Sequence, residues 1–325
     1  MMRAIQYSCY DGGAAALQHV EVGIPEPKVD EVLIKVEAIA LNAADWKIQE
    51  GMVRPFFPLK FPMIPGTDIS GEVVKVGSSI TKLKIGDKVV ALLSSFTGGA
   101  LAEYAVAKEN LTLTKPPDIT APECAALPLA ALTAYQALTQ SADIKLDGSS
   151  QNINILVTGA SGGVGHYAVQ LAKLSNAHVT ATCGARNLEL VKSLGADEVL
   201  DYQTPEGTAL KSPSGKKYDI VIHCATKIPW ETFVSNLNEP SKVICVSGGF
   251  IEWFIYAKHK LTFSKKVLMP MVMIPKRENF QELVNLVQAG KLKSIIDSKH
   301  SLGNVEDGWS RIMSGHATGK VIVEP

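Results

Sequence analysis

Short runs of apolar and β-branched residues, bounded by Gly and Pro, occupy the first third of the chain. The clearest runs are residues 31–40, 68–76 and 88–93, and turn sequences such as Val76-Gly77-Ser78 separate them. Runs of this length closed by turn residues are typical of antiparallel sheets. The pattern therefore predicts a twisted, partly barrel-like antiparallel domain.

From about residue 122 the pattern changes to alternating strands and helices. The predicted helices are residues 122–140, 164–175 and 188–194, and the predicted strands are 152–158, 178–182, 198–200, 220–224 and 242–246. Such alternation is typical of βαβ units with a parallel sheet and right-handed crossovers. The tail, residues 319–323, returns to a strand pattern. We expect an α/β protein whose first domain, residues 1–122, is completed by residues 288–325, with a second domain over residues 123–287.

Composition narrows the class of protein. The chain has 325 residues with 32 basic and 32 acidic side chains, so its formal net charge is zero. Binding to nucleic acid through phosphates needs a basic excess or face, so this balance argues against a nucleic-acid partner. No stretch approaches the roughly 20 apolar residues that span a bilayer. The five cysteines are scattered and odd in number, which fits a reduced compartment and excludes a disulfide framework.

A glycine-rich turn joins the predicted strand 152–158 to the next helix. Its sequence, GASGGVG over residues 159–165, lies between an apolar strand and an amphipathic helix. Glycines let the backbone approach a pyrophosphate, whose charge then lies at the helix N-terminus. In a βαβ context this turn predicts a dinucleotide site.

The end of the following strand predicts which dinucleotide binds. A residue that binds the ribose 2′-hydroxyl of NADH would be Asp or Glu about 20 residues beyond the glycine turn. The sequence TCGARN at residues 182–187 contains no acid. Gly184 leaves room there, and Arg186 can pair with a 2′-phosphate. NADPH is therefore the predicted cofactor, although Arg186 could instead be an exposed arginine at a helix start.

A series of motifs in fixed order carries a family resemblance. They are NAADWK at 42–47, PGTDISGEV at 65–73, GDKV at 86–89, GALAEY at 99–104, LTAY at 132–135, SGGVG at 161–165, LGAD at 194–197 and ATGK at 317–320. Along essentially its whole length the chain resembles the quinone oxidoreductase type of the medium-chain dehydrogenase/reductase superfamily. The stretches TATCGARN at 180–187, SPSGKKYD at 212–219 and HATGKVIVEP at 316–325 are similar to plant chloroplast-envelope quinone oxidoreductase homologues. The resemblance implies a GroES-like β-rich catalytic domain and a Rossmann, doubly wound nucleotide-binding domain.

The resemblance also bears on metal binding. Zinc-dependent members of the superfamily have metal ligands at three positions that are matched here by Asn42, Thr67 and Leu129. None of these residues supplies a thiolate or an imidazole, the side chains that hold zinc. The cysteine-rich lobe for a structural zinc is missing as well. We therefore expect no metal.

Without a metal, simple carbonyls are difficult to reduce, whereas conjugated acceptors spread the arriving charge over an enolate. The expected reaction is hydride transfer from NADPH to the conjugated C=C of α,β-unsaturated ketones or enals, including oxylipin-like and other apolar enones, or to a quinone. Two alternatives stay open. One is a reductase or cyclase of specialised metabolism on the same scaffold, and the other is an NADPH-binding protein with little turnover.

The resemblance implies the residues of the site. Asn42, Thr133, Gly319 and Lys320 correspond to positions around the nicotinamide, and Asn42, Asp45 and Lys47 are the candidate catalytic residues, with Tyr104 a further candidate proton donor. The remaining implied cofactor-binding residues are Ser161, Gly162, Gly163 and Val164 at the pyrophosphate, Cys183, Gly184, Arg186, Asn187 and Tyr202 at the adenosine end, and Cys224, Ala225, Val246 and Ser247 at strand ends.

An aromatic and Met-rich segment follows the predicted fifth strand of the second domain. We expect an apolar wall for a bulky substrate, although core or a dimer surface is an open alternative. The predicted wall residues are Phe250, Trp253, Phe254, Met269 and Met271. Four nearby lysines (Lys258, Lys260, Lys265 and Lys266) form either a solvated face or an attachment site for acidic lipid.

Localisation is expected from the resemblance alone. The similar envelope proteins enter the plastid without a removed presequence and bind the inner envelope membrane peripherally, and the cytoplasm is the alternative. The expected partner is a small apolar enone or quinone, and the chain is expected to be a monomer or a homodimer.

Overall fold

The computed structural model describes residues 1–54, 56–226, 228–246 and 248–325. The chain forms two compact units, one made of Met1–Ala130 with Pro275–Pro325 and the other of Ala131–Ile274. The architecture is α/β, and each unit is built on a sheet of its own.

Strands and helices are numbered along the chain. The strands are β1 (Met2–Gln6), β2 (Gln18–Val22), β3 (Glu31–Leu41), β4 (Asp68–Val76), β5 (Lys88–Leu92), β6 (Tyr104–Lys108), β7 (Thr112–Thr114), β8 (Asn154–Thr158), β9 (His178–Cys183), β10 (Glu198–Asp201), β11 (Tyr218–His223), β12 (Leu237–Cys245), β13 (Lys266–Pro270), β14 (Ile296–Ser301) and β15 (Lys320–Glu324). The helices are α1 (Ala43–Gln49), α2 (Ala121–Ala125), α3 (Pro128–Gln136), α4 (Gly165–Leu174), α5 (Leu188–Ser193), α6 (Pro205–Thr208), α7 (Trp230–Val234), α8 (Phe250–Leu261), α9 (Arg277–Gln288) and α10 (Val305–Met313).

The first unit is β-rich. Its main sheet has the order β14-β15-β3-β4-β5-β7, with β6 also paired to β3, and β1 pairs with β2 in a separate ribbon. All these pairs are antiparallel except β14 with β15. The C-terminal strand β15 thus pairs with β3, which joins the two ends of the chain in one sheet.

The core of the first unit follows from sequence periodicity. Strand β3 has the sequence EVLIKVEAIAL and is buried along most of its length, as expected for the central strand of a covered sheet. Helix α10 buries Val305, Trp309 and Ile312, spaced four and three residues apart on one helical face. The Trp309 indole N–H donates to Oε1 of the buried Gln49, at 3.2 Å. The helix is therefore held by an apolar face and one satisfied polar contact.

The second unit contains a parallel sheet with the order β10-β9-β8-β11-β12-β13. The chain builds β8, β9 and β10 outward in one direction and then returns to place β11 on the other side of β8. In open α/β sheets, ligands bind where the strand order reverses in this way. The carboxyl ends of β8 and β11 therefore mark the expected ligand site of this unit.

The predicted single helix over residues 122–140 is wrong. The structure has two helices there, α2 and α3, followed by a π-helical turn at Ala137–Ser141. Pro128 begins α3 and lacks the N–H that a continuous helix would need, and it restricts the residue before it. The break therefore follows from a proline that the Ala/Leu-rich pattern obscured.

The two compact units divide after residues 130 and 274, while the domain limits expected from the sequence, 122 and 288, stay a prediction. Helices α2 and α9 both fall in the first unit. Arg277, at the start of α9, donates from Nη1 to the carbonyls of Glu109 (2.7 Å) and Thr112 (3.1 Å). Ser294 donates to the carbonyl of Glu123 at 2.8 Å. The ends of the two compact units thus depend on contacts between segments that are far apart in the chain, and a local change of sequence pattern does not reveal these contacts.

Among the described residues, no helix has the length and apolar character that crossing a bilayer requires.

Candidate active site

The glycine-rich turn predicted from the sequence lies at the switch point of the second unit's sheet. Strand β8 ends at Thr158, the turn follows, and α4 begins at Gly165. The amide of Ala160 donates to the carbonyl of Thr182 at the end of β9, at 2.8 Å. The first amides of a helix have no carbonyl partner within it, so the N-terminus of α4 offers donors to an anion.

Two glycines are needed for the close packing of this turn. A Cβ on Gly165 would lie 2.2 Å from the carbonyl oxygen of Gly159, far closer than real contacts allow. Gly159 has a φ of +63°, and a Cβ there would lie 3.2 Å from the amide nitrogen of Ala225. Gly159 thus adjoins the end of β11. The predicted residues Ser161, Gly162, Gly163 and Val164 lie between these two glycines and are half-buried.

The predicted adenosine end forms one corner at the ends of β9 and β10. The amide of Tyr202 donates to the carbonyl of Cys183 at 3.0 Å, and a Cβ on Gly184 would lie 3.4 Å from the Tyr202 ring. A Cβ at residue 184 would therefore be in ordinary van der Waals contact with the ring. Tyr202 is 44% exposed and Arg186 is exposed, whereas Asn187 is buried.

A hydroxyl links the ends of β8 and β11. Thr158 Oγ1 lies 2.8 Å from Nδ1 of His223 and accepts from the amide of Ala225 at 3.4 Å. The amide of Val246, beyond β12, donates to the carbonyl of His223 at 3.2 Å. Burial lowers the pKa of His223 to about 4, so its imidazole is neutral at physiological pH. These contacts fix the strand ends that carry Ala225 and Val246, and they contain no charge.

Of the two predicted cysteines of this region, Cys183 at the end of β9 is buried and Cys224, just after β11, is half-buried. Burial raises the pKa of Cys183 to about 11 and raises the pKa of Cys224 further. Both thiols are therefore protonated at physiological pH.

Thr133 is buried in α3, and the predicted residue Ser247 lies outside the described residues.

The first unit contains a cluster of buried polar and charged side chains. Asn42 follows β3, Asp68 begins β4 and Lys320 begins β15. In the sheet Ala40 pairs with Asp68, and Leu41 pairs with Val321. This register brings the three polar residues together at one end of the sheet. All three are buried, with Lys320 2% exposed and Asp68 0% exposed.

Hydrogen-bond donors converge on the Asp68 carboxylate. Asn42 Nδ2 lies 3.0 Å from Oδ2, and Thr67 Oγ1 lies 3.0 Å from Oδ1. The amide of Leu129 lies 3.3 Å from both oxygens. Lys320 Nζ lies 3.6 Å from Asp68 Oδ2 and donates to Asn42 Oδ1. Both carboxylate oxygens thus accept hydrogen bonds, and burial raises the pKa of Asp68 against the opposing effects of Lys320 and of these donors.

Asp45 is a second buried acid beside this cluster. Its Oδ2 accepts from the Asn42 amide at 2.7 Å, within the capping box of α1. Burial raises the pKa of Asp45 to about 7; the Asn42 amide opposes the shift and Asp68 adds to it. Burial also lowers the pKa of Lys320, against the attraction of Asp68 and Asp45. Asp45 is therefore partly protonated near neutral pH.

The other candidate proton donors lie on α1 and β6. Lys47 is half-buried on α1, with Nζ 5.8 Å from the centre of the Trp46 ring. Tyr104 is half-buried in β6, where it pairs with Lys35.

Gly319 has a φ of +79°, and a Cβ there would lie 2.1 Å from the carbonyl oxygen of Ile295. Only glycine therefore fits at position 319, directly before Lys320.

The predicted apolar wall is divided between a helix and a strand. Phe250, Trp253 and Phe254 lie on α8, which has no buried residue, and Phe254 is 73% exposed. Met269 lies on β13 and Met271 just after it, and both are half-buried. Helix α8 is tied to β13 where the amide of Leu268 donates to Nδ1 of His259, at 3.1 Å.

Sequence reasoning missed two residues of these sites. The family motif contains Asp68 without giving it a role, although an acid at the start of the apolar strand β4 is an available signal. Thr158 has only the pattern of a strand residue. Its role depends on the position of His223, 65 residues away, which no local pattern shows.

The three positions matched to metal ligands do not fit a zinc ion. Asn42 and Thr67 direct hydrogen-bond donors to Asp68, and Leu129 contributes only its backbone amide. A metal needs electron-pair donors, whereas these groups surround an anion. Among the described residues, no group of three or more His, Cys, Asp or Glu side chains has a metal-binding arrangement.

The residues of the second unit do fit a dinucleotide. No side chain covers the backbone of the glycine turn at Gly159 and Gly165. The turn lies where the strand order reverses, between β8 and β11, and beside a helix N-terminus. Ser161, Gly162, Gly163 and Val164 are the residues that would hold the pyrophosphate.

Comparisons with known proteins agree with this picture. Residues 28–118 match the alcohol dehydrogenase GroES-like domain family, and residues 194–323 match a family described as zinc-binding dehydrogenase. The quinone oxidoreductase of Coxiella burnetii has a similar structure, with a TM-score of 0.89 and 28% identity, covering 100% of this chain and 99% of that one.

Curated relatives cover the whole chain. The chain is 66% identical to the chloroplastic quinone-oxidoreductase homolog of Spinacia oleracea and 62% identical to the chloroplast envelope quinone oxidoreductase homolog of Arabidopsis thaliana, in each case covering 100% of this chain and 99% of the relative. It is 35% identical to the chloroplastic NADPH-dependent alkenal/one oxidoreductase of Arabidopsis thaliana, covering 100% of this chain and 80% of the relative. The chain therefore belongs to the medium-chain dehydrogenase/reductase superfamily, among the chloroplast quinone oxidoreductase homologues. It is an oxidoreductase of a family that uses nicotinamide cofactors and small-molecule substrates.

Proposed function

We propose that the chain is an NADPH-dependent reductase that transfers hydride to the conjugated C=C of an apolar α,β-unsaturated ketone or enal, or to a quinone. The observation that carries the proposal is the glycine turn at the switch point, whose backbone no side chain covers at Gly159 and Gly165. The exposed Arg186 lies at the end of β9, close in sequence to Gly184. Bound NADPH supplies the hydride. The printed names of the relatives, quinone oxidoreductase and alkenal/one oxidoreductase, support both acceptor classes.

The proposed cofactor contacts divide along the second unit. The turn at residues 161–164 binds the pyrophosphate through its backbone amides other than that of Gly162, which donates to the Gly159 carbonyl at 3.0 Å. Arg186 pairs with the 2′-phosphate, because its guanidinium can form two charge-assisted hydrogen bonds to that group. Tyr202 packs against the adenosine. The ends of β11 and β12, held in place by Thr158 and His223, present Ala225 and Val246 to the cofactor.

The buried cluster of the first unit favours a conjugated acceptor. Its donors converge on Asp68, and the matched ligand positions offer no site for a Lewis acid. A conjugated acceptor delocalises the charge that arrives with the hydride and needs less polarisation of its oxygen. Reduction consumes one proton, which goes to the α-carbon of an enone or to a quinone oxygen. Asp45 holds a proton near neutral pH and is the proposed source of the proton that the reduction consumes. Asn42 and Lys47 are the other proposed catalytic residues.

The test is steady-state NADPH oxidation by the purified protein with a panel of enones, enals and quinones. We expect turnover of several members of at least one class and a rate with NADH at least tenfold lower at equal concentration. Tight NADPH binding without turnover of any acceptor would contradict the proposal and favour a binding protein. Turnover of a single metabolite would favour a specialised enzyme.

We also propose that this chain acts in the chloroplast, at its envelope, because two relatives at 62–66% identity are named for that organelle. A fluorescent fusion should then lie at the plastid boundary. A signal confined to the cytosol would contradict the proposal.

A further inference from the structure

The first unit matches, in its C-terminal part, a family described as zinc-binding dehydrogenase, yet its polar centre is arranged around an anion. The Asn42 side-chain amide, the Thr67 hydroxyl and the Leu129 backbone amide all point hydrogens at the Asp68 carboxylate. The family resemblance matches these three positions to the metal ligands of zinc-dependent members. The polarity of the site is therefore opposite to that of a metal centre.

A cation is present in this site as part of the chain. The Lys320 ammonium lies 3.6 Å from Asp68 Oδ2, donates to Asn42 Oδ1 and is 2% exposed. Lys320 directly follows Gly319, whose positive φ and close approach to Ile295 allow no side chain. A buried carboxylate without a partner is strongly destabilising, so Asp68 needs a cation here.

We propose that Lys320 is the resident cation of this centre. Its ammonium takes the place that the family resemblance gives to the metal ion of zinc-dependent members. It neutralises Asp68 and ties together β3, β4 and β15. One ammonium then does what a metal does structurally: it holds the ends of three strands and the start of α3 around one charged centre. This inference does not depend on which acceptor the enzyme reduces, and its test measures folding stability rather than turnover.

The test is a thermal unfolding series at neutral pH. Lys320→Met keeps the apolar stem and removes the charge, leaving Asp68 buried and unpaired. We expect its Tm to fall by about 10 °C, the size that corresponds to losing one partner of a buried pair. Lys299→Met is the matched control, because Lys299 lies in the same sheet on β14 but is exposed, with Nζ 3.3 Å from Glu324. Its Tm should change by less than about 2 °C, since exposed pairs contribute little.

The double variant Lys320→Met with Asp68→Asn distinguishes charge neutralisation from packing. Asn keeps an acceptor for Thr67 and Leu129 but carries no charge, so it should restore at least half of the lost Tm. A double variant less stable than Lys320→Met, or a Lys320→Met protein as stable as the control, would overturn the proposal. If Lys320→Met fails to fold, a soluble double variant supports the proposal and an insoluble one overturns it.

A second arm uses Zn²⁺ alone. The wild-type protein after EDTA treatment should keep its Tm, and stoichiometric Zn²⁺ should not raise it. A Zn²⁺-dependent increase in Tm that disappears in Asn42→Ala would show that the centre takes a metal and that Lys320 is not its resident cation.

Discussion

The two units bury polar groups in different ways. In the second unit the candidate pyrophosphate site is made of backbone, and the buried side chains that hold the neighbouring strand ends, Thr158 and His223, are uncharged. In the first unit the buried centre contains two acids and an ammonium: Asp45, Asp68 and Lys320. A backbone site can be built from one contiguous segment, whereas a charged centre has to be assembled from segments that neutralise one another.

The difference has an energetic consequence. Neutral buried groups cost little once they are hydrogen-bonded, and His223 makes stability depend on pH only below its ordinary pKa, where the unfolded chain binds a proton that the folded imidazole does not. Buried charges make stability depend on pH and on the presence of every partner. The second unit should therefore be sensitive to steric changes in its glycine turn, and the first to changes of charge.

The largest expected effect is steric and lies in the second unit. Gly165→Ala places a Cβ 2.2 Å from the carbonyl oxygen of Gly159. A glycine-to-alanine change in a helix normally stabilises by up to about 1 kcal/mol. Here overpacking against backbone should reverse the sign and cost roughly 3 kcal/mol, measured by chemical denaturation. Gly162→Ala is the control within the same turn, because its Cβ would lie 3.3 Å from that oxygen. Equal stabilities of the two variants would show that the turn is not tightly packed.

The next effect is electrostatic and lies in the first unit. The folded-state pKa of Asp45 is raised to about 7, above its ordinary value near 4, so the folded protein holds this proton more tightly than the unfolded chain. The contribution of Asp45 to stability is therefore lost as pH rises toward 7. Asp45→Asn, which keeps the cap acceptor, should gain about 2–3 kcal/mol relative to wild type between pH 5 and pH 8.

The control for Asp45 is Asp297→Asn in the same unit. Burial at Asp297 is outweighed by hydrogen bonds from Arg311 and Thr318, so its pKa is lowered. The stability it contributes is present above its unfolded-state pKa and is lost only as pH falls. Denaturation curves at several pH values should show no gain for Asp297→Asn between pH 5 and pH 8. Parallel pH profiles for wild type and Asp45→Asn would contradict a buried, proton-binding Asp45.

A smaller effect tests the uncharged network. Thr158→Val removes the hydroxyl between His223 and the Ala225 amide, leaving a buried imidazole nitrogen unpaired. The expected cost is about 1–2 kcal/mol, and it should be the same at pH 5.5 and pH 8 because His223 is neutral at both. Thr158→Ser keeps the hydroxyl and should lose much less. A cost that varies with pH would mean that the network carries a charge.

The same contrast explains how much could be predicted from sequence. The glycine turn, its strand and its helix are contiguous, so one local pattern predicted the class of ligand and its place at the strand ends. The break at Pro128 could also have been predicted, since the proline is visible in the sequence. The buried centre is different, because Asn42, Asp68 and Lys320 come together only through the pairing of β15 with β3 and of β3 with β4. Family resemblance named Asn42 and Lys320 as cofactor residues but did not predict their contact with Asp68.

The most direct test of the proposed cofactor specificity is a fluorescence titration of NADPH and NADH into the wild-type protein and Arg186→Ala, with Lys192→Ala on α5 as a control cation nearby in sequence. Loss of the charge-assisted bonds to the 2′-phosphate should raise the Kd for NADPH on the order of 30-fold, about 2 kcal/mol, and leave the Kd for NADH within about threefold. Lys192→Ala should change neither Kd by more than about twofold. Equal losses of affinity for NADPH and NADH in Arg186→Ala would contradict 2′-phosphate recognition at this corner and with it the assignment of NADPH as the cofactor.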